Sequence, residues 1–130
     1  MKNYIILVYF LLTGLNATAQ VADSTRCKGA SPEDFLGMIR MEKAVLIDVR
    51  MPFEHRREYI EGSVNHPAGR KLKRATRHIG RDSVILLYCT SGYRSCREAS
   101  QLAAAGFTRV WSLEGGIRAW KEKGLPVKKK

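Results

Sequence analysis

Cys89-Thr90-Ser91-Gly92-Tyr93-Arg94 sets a thiol and a guanidinium five positions apart, and the stretch reads as a nucleophile in an anion cradle. An ordinary cysteine, with a pKa of about 8.5, is only about 3% thiolate at pH 7, and the thiolate is the reactive form. Lowering the pKa to about 6.5 would ionise roughly three quarters of it, at about 2.7 kcal/mol of differential stabilisation. A helix terminus supplies about 0.3 to 1 kcal/mol, so inward-pointing loop amides and the Arg94 guanidinium must add to it. Gly92 can take backbone angles closed to other residues, which lets so short a loop turn its N–H groups toward one point. The expected product is a bowl of donors around sulfur.

The elements on either side are of the kind that can hold such a loop. Ser83-Val84-Ile85-Leu86-Leu87-Tyr88 is apolar and β-branched, as a strand buried on both faces of a parallel sheet must be. Downstream, Ser95 is expected to cap a helix on which Cys96, Ala99, Leu102 and Ala103 fall at helical spacing. The cysteine therefore belongs at the carboxyl end of a strand, where open α/β sheets form their ligand crevices.

The rest of the chain alternates in the same way. Ser31-Pro32-Glu33-Asp34 starts a helix with a cap, a first-turn proline and acids near the positive end. A strand over 44–49, a short helix over 52–58, an extended piece over 63–65 and a basic helix over 70–79 follow. After the cysteine strand and its helix come a strand over 109–113 and a last helix, whose Ile117 and Trp120 share one face. Trp120 is read as a core anchor. The expected fold is a small α/β domain, a central parallel sheet with helices on both faces.

Four segments, in order, make the chain resemble a single rhodanese domain over about residues 31 to 126. They are Leu46-Ile47-Asp48-Val49-Arg50, Tyr59-Ile60-Glu61-Gly62-Ser63-Val64-Asn65, the cysteine loop, and Gly115-Gly116-Ile117-Arg118-Ala119-Trp120 with Gly124-Leu125-Pro126-Val127. The family often carries histidine where Tyr59 stands and alanine near Ser63, departures that lie outside the loop. Within the superfamily, rhodaneses have a Cys-x4-Arg loop, while the related dual-specificity phosphatases and arsenate reductases have Cys-x5-Arg, which fits a tetrahedral oxyanion. Cys89 and Arg94 have the shorter spacing, so the resemblance implies sulfur transfer rather than phosphate hydrolysis.

The mechanism this implies has Cys89 attack an anionic donor such as thiosulfate and carry its sulfur as a persulfide. Cyanide, a thiol or a protein acceptor then removes that sulfur. Arg94 would orient the donor and steady charge on departing sulfite, and Thr90, Ser91, Gly92, Tyr93 and Ser95 would form the substrate-binding loop. Asp48, Arg50 and Glu54 are expected to support the loop, with Asp48 accepting hydrogen bonds from loop or neighbouring backbone groups and Glu54 tying an arginine. No metal or organic cofactor is required, and His55, His66 and His78 show no ligand spacing. Two other readings stand beside this one. The first is a sulfur carrier or persulfide relay docked to a partner; the second is a thiol-disulfide oxidoreductase in which Cys96 resolves Cys89.

The N-terminus bears on location. Lys2 precedes nine apolar residues, Tyr4 to Leu12, and Ala17-Thr18-Ala19 offers small residues at a cleavage site. A secretory signal over residues 1–19 is expected, with export most simply to a bacterial periplasm. The apolar run is too short for the roughly 20 residues that span a bilayer, so stable membrane insertion is not expected. Residues 20–30 read as a flexible lead-in, 31–127 as the domain and 128–130 as a basic tail.

Three cysteines in an oxidising compartment leave at least one thiol free, and Cys89 is the natural one. Cys96 is read as a packing residue, and Cys27 as exposed and able to pair with Cys96, with another chain or with nothing.

The net charge of +11 falls to +10 once residues 1–19, with their single lysine, are removed. Arg70, Lys71, Lys73, Arg74, Arg77 and Arg81 lie together without an acid among them, but Leu72, Ala75 and Ile79 recur on one face. Most of that charge is therefore read as the solvated side of a helix. No nucleic-acid partner is expected; weak attraction to small anions or acidic surfaces is.

Overall fold

The structure is a computed structural model that describes residues 27–41 and 43–130. The expected signal sequence and most of the lead-in lie outside the described residues. Five strands form one all-parallel sheet: β1 (Gly29–Ala30), β2 (Val45–Asp48), β3 (Val64–Asn65), β4 (Val84–Tyr88) and β5 (Arg109–Leu113), in the order β1-β5-β4-β2-β3. The helices are α1 (Pro32–Met41), α2 (Pro52–Arg57), α3 (Arg70–Thr76), α4 (Tyr93–Ala104) and α5 (Gly116–Glu122).

Strand alternation sorts the core into two layers. Leu46, Val84, Leu86 and Tyr88 face Phe35 of α1 and Ile117 and Trp120 of α5. Ile47, Val49, Ile85, Leu87 and Cys89 face Leu72 of α3 and Ala99 and Leu102 of α4. β4 is buried along its whole length, which explains why it needs an unbroken apolar run. Trp120 is 1% exposed, meets Phe35 edge-on at 6.4 Å and donates its indole N–H to the Pro126 carbonyl at 2.9 Å. It is a core anchor, as its spacing suggested.

α1 begins as its sequence dictates, with the Ser31 hydroxyl accepting the Asp34 N–H at 3.1 Å ahead of Pro32. The basic helix is shorter than expected, ending at Thr76. The Thr76 hydroxyl folds back onto the Leu72 carbonyl at 2.9 Å, a local bond that competes with continuing the helix.

From β2 the chain leaves to β3 on one side, and from β4 it leaves to β5 on the other. The adjacent carboxyl ends of β2 and β4 therefore form the switch point of the sheet, with Asp48 opposite Tyr88 in register. Cys89 follows that position directly.

Among the described residues, the segments that flank the domain are more structured than the sequence suggested. Gly29 and Ala30 fall within the expected lead-in, yet they pair with Ser112 and Leu113 of β5. Lys128 falls in the expected tail, yet it exchanges main-chain hydrogen bonds with Tyr59 at 2.8 and 2.9 Å. Cys96 is not a packing thiol: it is disulfide-bonded to Cys27, which is half-buried. β1 lies beside β5, and α4 packs on β5, so the two cysteines meet with Cα atoms 5.2 Å apart. That leaves Cys89 as the free cysteine.

The disulfide spans 69 positions of chain, so closing that loop is entropically costly without it. Replacing Cys27 and Cys96 together by serine is expected to lower unfolding stability by about 2 to 4 kcal/mol. Urea titration at neutral pH measures this, and the slope should rise slightly because the unfolded chain is no longer tethered.

Candidate active site

The Cys89 sulfur is met by several donors. The Gly92 N–H lies 3.1 Å from Sγ, the Ser95 N–H 3.5 Å and the Ser95 hydroxyl 3.4 Å. Burial raises the thiol pKa, but the bonds from Ser95, Gly92 and the Ser91 N–H outweigh it, and the net shift is downward. The residue is only 1% exposed, less than a freely reachable nucleophile would be, but its sulfur points into the amide ring rather than away from it.

Gly92 sits at φ 95° and precedes α4, which starts at Tyr93 rather than after Ser95. Ser95 is thus the third helical residue, not the cap. Its hydroxyl turns to Sγ, to the Gly92 carbonyl at 3.3 Å and to the Ser112 hydroxyl at 2.7 Å. Tyr93 stands 75% exposed at the helix start.

Arg94 turns toward α2. Its Nη1 and Nη2 donate to the two Glu54 oxygens at 3.0 and 3.1 Å, and Nη2 also reaches the Thr90 hydroxyl at 3.1 Å. Thr90 donates to Glu54 Oε1 at 3.2 Å, and the Met51 N–H reaches Oε2 at 2.8 Å. Glu54 therefore ties an arginine as expected, and this paired cation holds its carboxyl down to about 2. Arg94 acts first as a clamp between the loop and α2. Its charge still reaches the sulfur: Glu54, and more weakly the Cys89 thiolate, stabilise the protonated guanidinium.

Asp48 and Arg50 do not hydrogen-bond to the cysteine loop. Arg50 donates to Asp48 from its own main chain at 2.9 Å and from Nε and Nη2 at 2.7 to 3.1 Å, and Nη2 also reaches the Glu58 carbonyl at 2.7 Å. His55 Nδ1 lies 2.9 Å from Asp48 Oδ2. The pair is almost fully buried, so these bonds replace the water both charges gave up. They lock the β2–α2 connection that leads into the helix carrying Glu54. Of the two kinds of partner expected for Asp48, it accepts from a neighbouring backbone group, the Arg50 N–H, and not from the loop, so its support of the loop is indirect.

Two features of the site were not assigned to it from the sequence: the contact made by the Gly115-Gly116 segment, which entered only through the resemblance, and Ser112. Gly115-Gly116 backs directly onto the loop: the Ile117 N–H donates to the Cys89 carbonyl at 2.9 Å and the Arg118 N–H to the Thr90 carbonyl at 3.1 Å. A Cβ on Gly116 would lie 2.4 Å from the Thr90 carbonyl, so only glycine permits this approach. The second feature is Ser112, a buried hydroxyl in β5, whose only sequence signal is a polar residue in an otherwise apolar strand end. Tyr88, too, has a polar role beyond its place in the core. Its hydroxyl meets the Ile60 N–H at 3.1 Å and Ser63 Oγ at 2.9 Å, and so anchors the segment before β3.

Fold and site together define an α/β domain with a free cysteine held in an amide-lined loop at the switch point of a parallel sheet. The chain belongs to the rhodanese-like domain family, whose model matches residues 31–123. It is 35% identical over 121 residues to an uncharacterized protein, YqhL, of Bacillus subtilis, covering 92% of this chain and 94% of that one. It is 33% identical over 93 residues to thiosulfate sulfurtransferase 16, chloroplastic, of Arabidopsis thaliana, covering 65% of this chain and 78% of the relative. A tRNA uridine(34) hydroxylase from an Enterobacter strain is 34% identical over 94 residues, but the match spans 27% of that protein. A crystal structure of a rhodanese-related protein from Thermoplasma volcanium superposes with a TM-score of 0.70 at 29% identity, covering 79% of this chain and 99% of that one.

The loop's supports give two checks. Gly116→Ala adds a close contact and a side chain at φ 63°, and is expected to cost about 2 to 4 kcal/mol in urea unfolding. The second concerns acid. Glu54 titrates near 2 in the fold and near 4.5 when unfolded, so its contribution is present above pH 4.5 and is lost as pH falls toward 2. After screening of this partly exposed pair, Glu54→Gln is expected to lose about 1 to 2 kcal/mol at pH 7 and to differ progressively less from wild type below pH 4. Thermal unfolding across pH 2 to 7 reads the convergence.

Proposed function

We propose that this chain is a sulfurtransferase that moves a sulfane sulfur from an anionic donor to a thiophilic acceptor through Cys89. The observation that carries the reading is the ring of Gly92, Ser95 and Ser91 donors around Sγ inside a Cys-x4-Arg loop. The family membership and the thiosulfate sulfurtransferase relative support it.

The Cys89 thiolate attacks the outer sulfur of thiosulfate, the S–S bond of the donor breaks, and sulfite leaves with the electron pair. Cys89 then carries one extra sulfur as an anionic persulfide, held by the same N–H and O–H donors. A cyanide or thiolate acceptor attacks the terminal sulfur, forms thiocyanate or a new persulfide, and returns Cys89 as thiolate. The slight exposure of Cys89 favours donors that end in one protruding sulfur atom. Arg94, charged but tied to Glu54, steadies the anion by its field and keeps the loop shut on its own side.

A carrier that holds sulfur without efficient turnover is the second reading, supported by the same loop. The oxidoreductase reading is set aside, because Cys96 is already bonded to Cys27 and offers no resolving thiol. That same disulfide supports export, since such bonds persist in oxidising compartments.

Intact mass after thiosulfate treatment tests the proposal. One added sulfur on wild type that disappears with cyanide is expected, with none on Cys89→Ser and at least a roughly thousandfold loss of thiocyanate formation in that variant. No adduct on the wild-type protein would sink the reading, whereas a stable adduct with negligible thiocyanate would leave the carrier. The same spectrum reports export, as a chain lacking residues 1–19.

A further inference from the structure

Ser112 is a hydroxyl with no evident structural need. It is 2% exposed in β5, where its main chain is already satisfied by the neighbouring strands: its N–H donates to the Lys28 carbonyl at 2.9 Å, and it lies in register with Gly29 and Leu87. Its side chain meets Ser95 Oγ at 2.7 Å, the shortest contact of the hydroxyls around the nucleophile. An alanine would complete the strand without a buried polar group to satisfy.

Ser95 Oγ stands between Ser112 and the sulfur, 3.4 Å from Sγ and 3.3 Å from the Gly92 carbonyl. It has one proton to give. If that proton pointed to Ser112, Sγ would face the oxygen lone pairs and a thiolate there would be repelled. If Ser112 donates to Ser95 Oγ, the Ser95 proton is left for Sγ or the Gly92 carbonyl, and an anionic sulfur is the stronger acceptor. An oxygen that accepts a hydrogen bond is also a better donor, so the second hydroxyl strengthens the first.

We propose that Ser112 is a positioning residue for sulfur transfer, directing the Ser95 hydroxyl onto Cys89 Sγ. The proposal rests on the sulfurtransferase reading for its chemistry, but the contact it describes is a property of the thiol itself. Other charges near the sulfur are fixed by their own partners: Arg94 on α4 is paired with Glu54 on α2, and Asp48 at the end of β2 is paired with Arg50 just after it. None of them touches Ser112 in the hydrogen-bond network.

The test is a double-mutant cycle read on the Cys89 thiol. The pH dependence of iodoacetamide alkylation gives its pKa in wild type, S95A, S112A and S95A/S112A. Ser95→Ala is expected to raise the pKa by about one unit and Ser112→Ala by about half a unit, a roughly threefold change in thiolate fraction at low pH. In the S95A background the Ser112 change should add nothing. Ser112→Thr, which keeps the hydroxyl, should restore the wild-type profile, and persulfide formation from thiosulfate should slow in the same order.

An unchanged pKa in S112A, or the same shift with and without Ser95, overturns the proposal. If S112A loses its fold by circular dichroism, Ser112→Val removes the same hydroxyl with a residue suited to a strand and gives the same reading. A coupled pKa without any sulfur adduct on the wild-type protein would uphold the Ser112 contact and refute the sulfurtransferase reading.

Discussion

The structure turns on one balance at the Cys89 sulfur, between burial that favours the neutral thiol and donors that favour the anion. A thiol this enclosed, with no donors aimed at it, would be inert. Here the Gly92 and Ser95 amides and the Ser95 hydroxyl tip the balance the other way, and the same enclosure makes each of those bonds count for more than it would in water. Low exposure and a lowered pKa are therefore not in conflict. Both follow from folding a short loop around the sulfur.

Such a loop cannot hold that shape alone, because amides turned inward leave its carbonyls turned outward and in need of partners. The Ile117 and Arg118 amides of α5 take the Cys89 and Thr90 carbonyls, and the close approach this needs explains the paired glycines before them. On the other side Glu54 gathers Thr90, Arg94 and the Met51 amide with both of its oxygens. The buried Asp48–Arg50 pair stands behind Glu54, fixing the turn from which α2 starts. The loop is thus gripped through its carbonyls by one element and through its side chains by another.

Much of this was legible in the sequence, and the division follows the range of the interactions. Val84 to Tyr88 could be read as a doubly buried strand, and Ser31-Pro32 as a helix start, because each signal lies within a few consecutive residues. The position of Cys89 followed from those neighbours. What escaped was decided across the sheet. β1 is two residues long and carries no periodicity, so its pairing with β5 could not be anticipated, and nothing local could single out the Cys27–Cys96 bond from the other pairings open to Cys27. Ser95 looked like a helix cap because the local pattern favours one, but Gly92 already turns the chain and the hydroxyl is drawn to the sulfur instead. Asp48 was placed correctly beside the site and accepts from a neighbouring backbone N–H as expected, but its pairing with the Arg50 side chain, which satisfies two buried charges at once, was not foreseen.

If the site takes a dianionic donor, as proposed, the orientation of Arg94 bears on how it would handle that charge. A guanidinium aimed into the loop would supply a full charge, but it would also bind sulfite as it departs and hold the product. Paired with Glu54 on one side, Arg94 presents a cation whose charge is largely balanced by its neighbour, while the amides supply only partial charges aimed at one point. Partial charges discriminate by distance: they would favour a small sulfur seated among them over a larger sulfite group outside. On the proposed reading the short loop and the clamped arginine would therefore serve one end, which is to hold the transferred atom more firmly than the anion that delivers it.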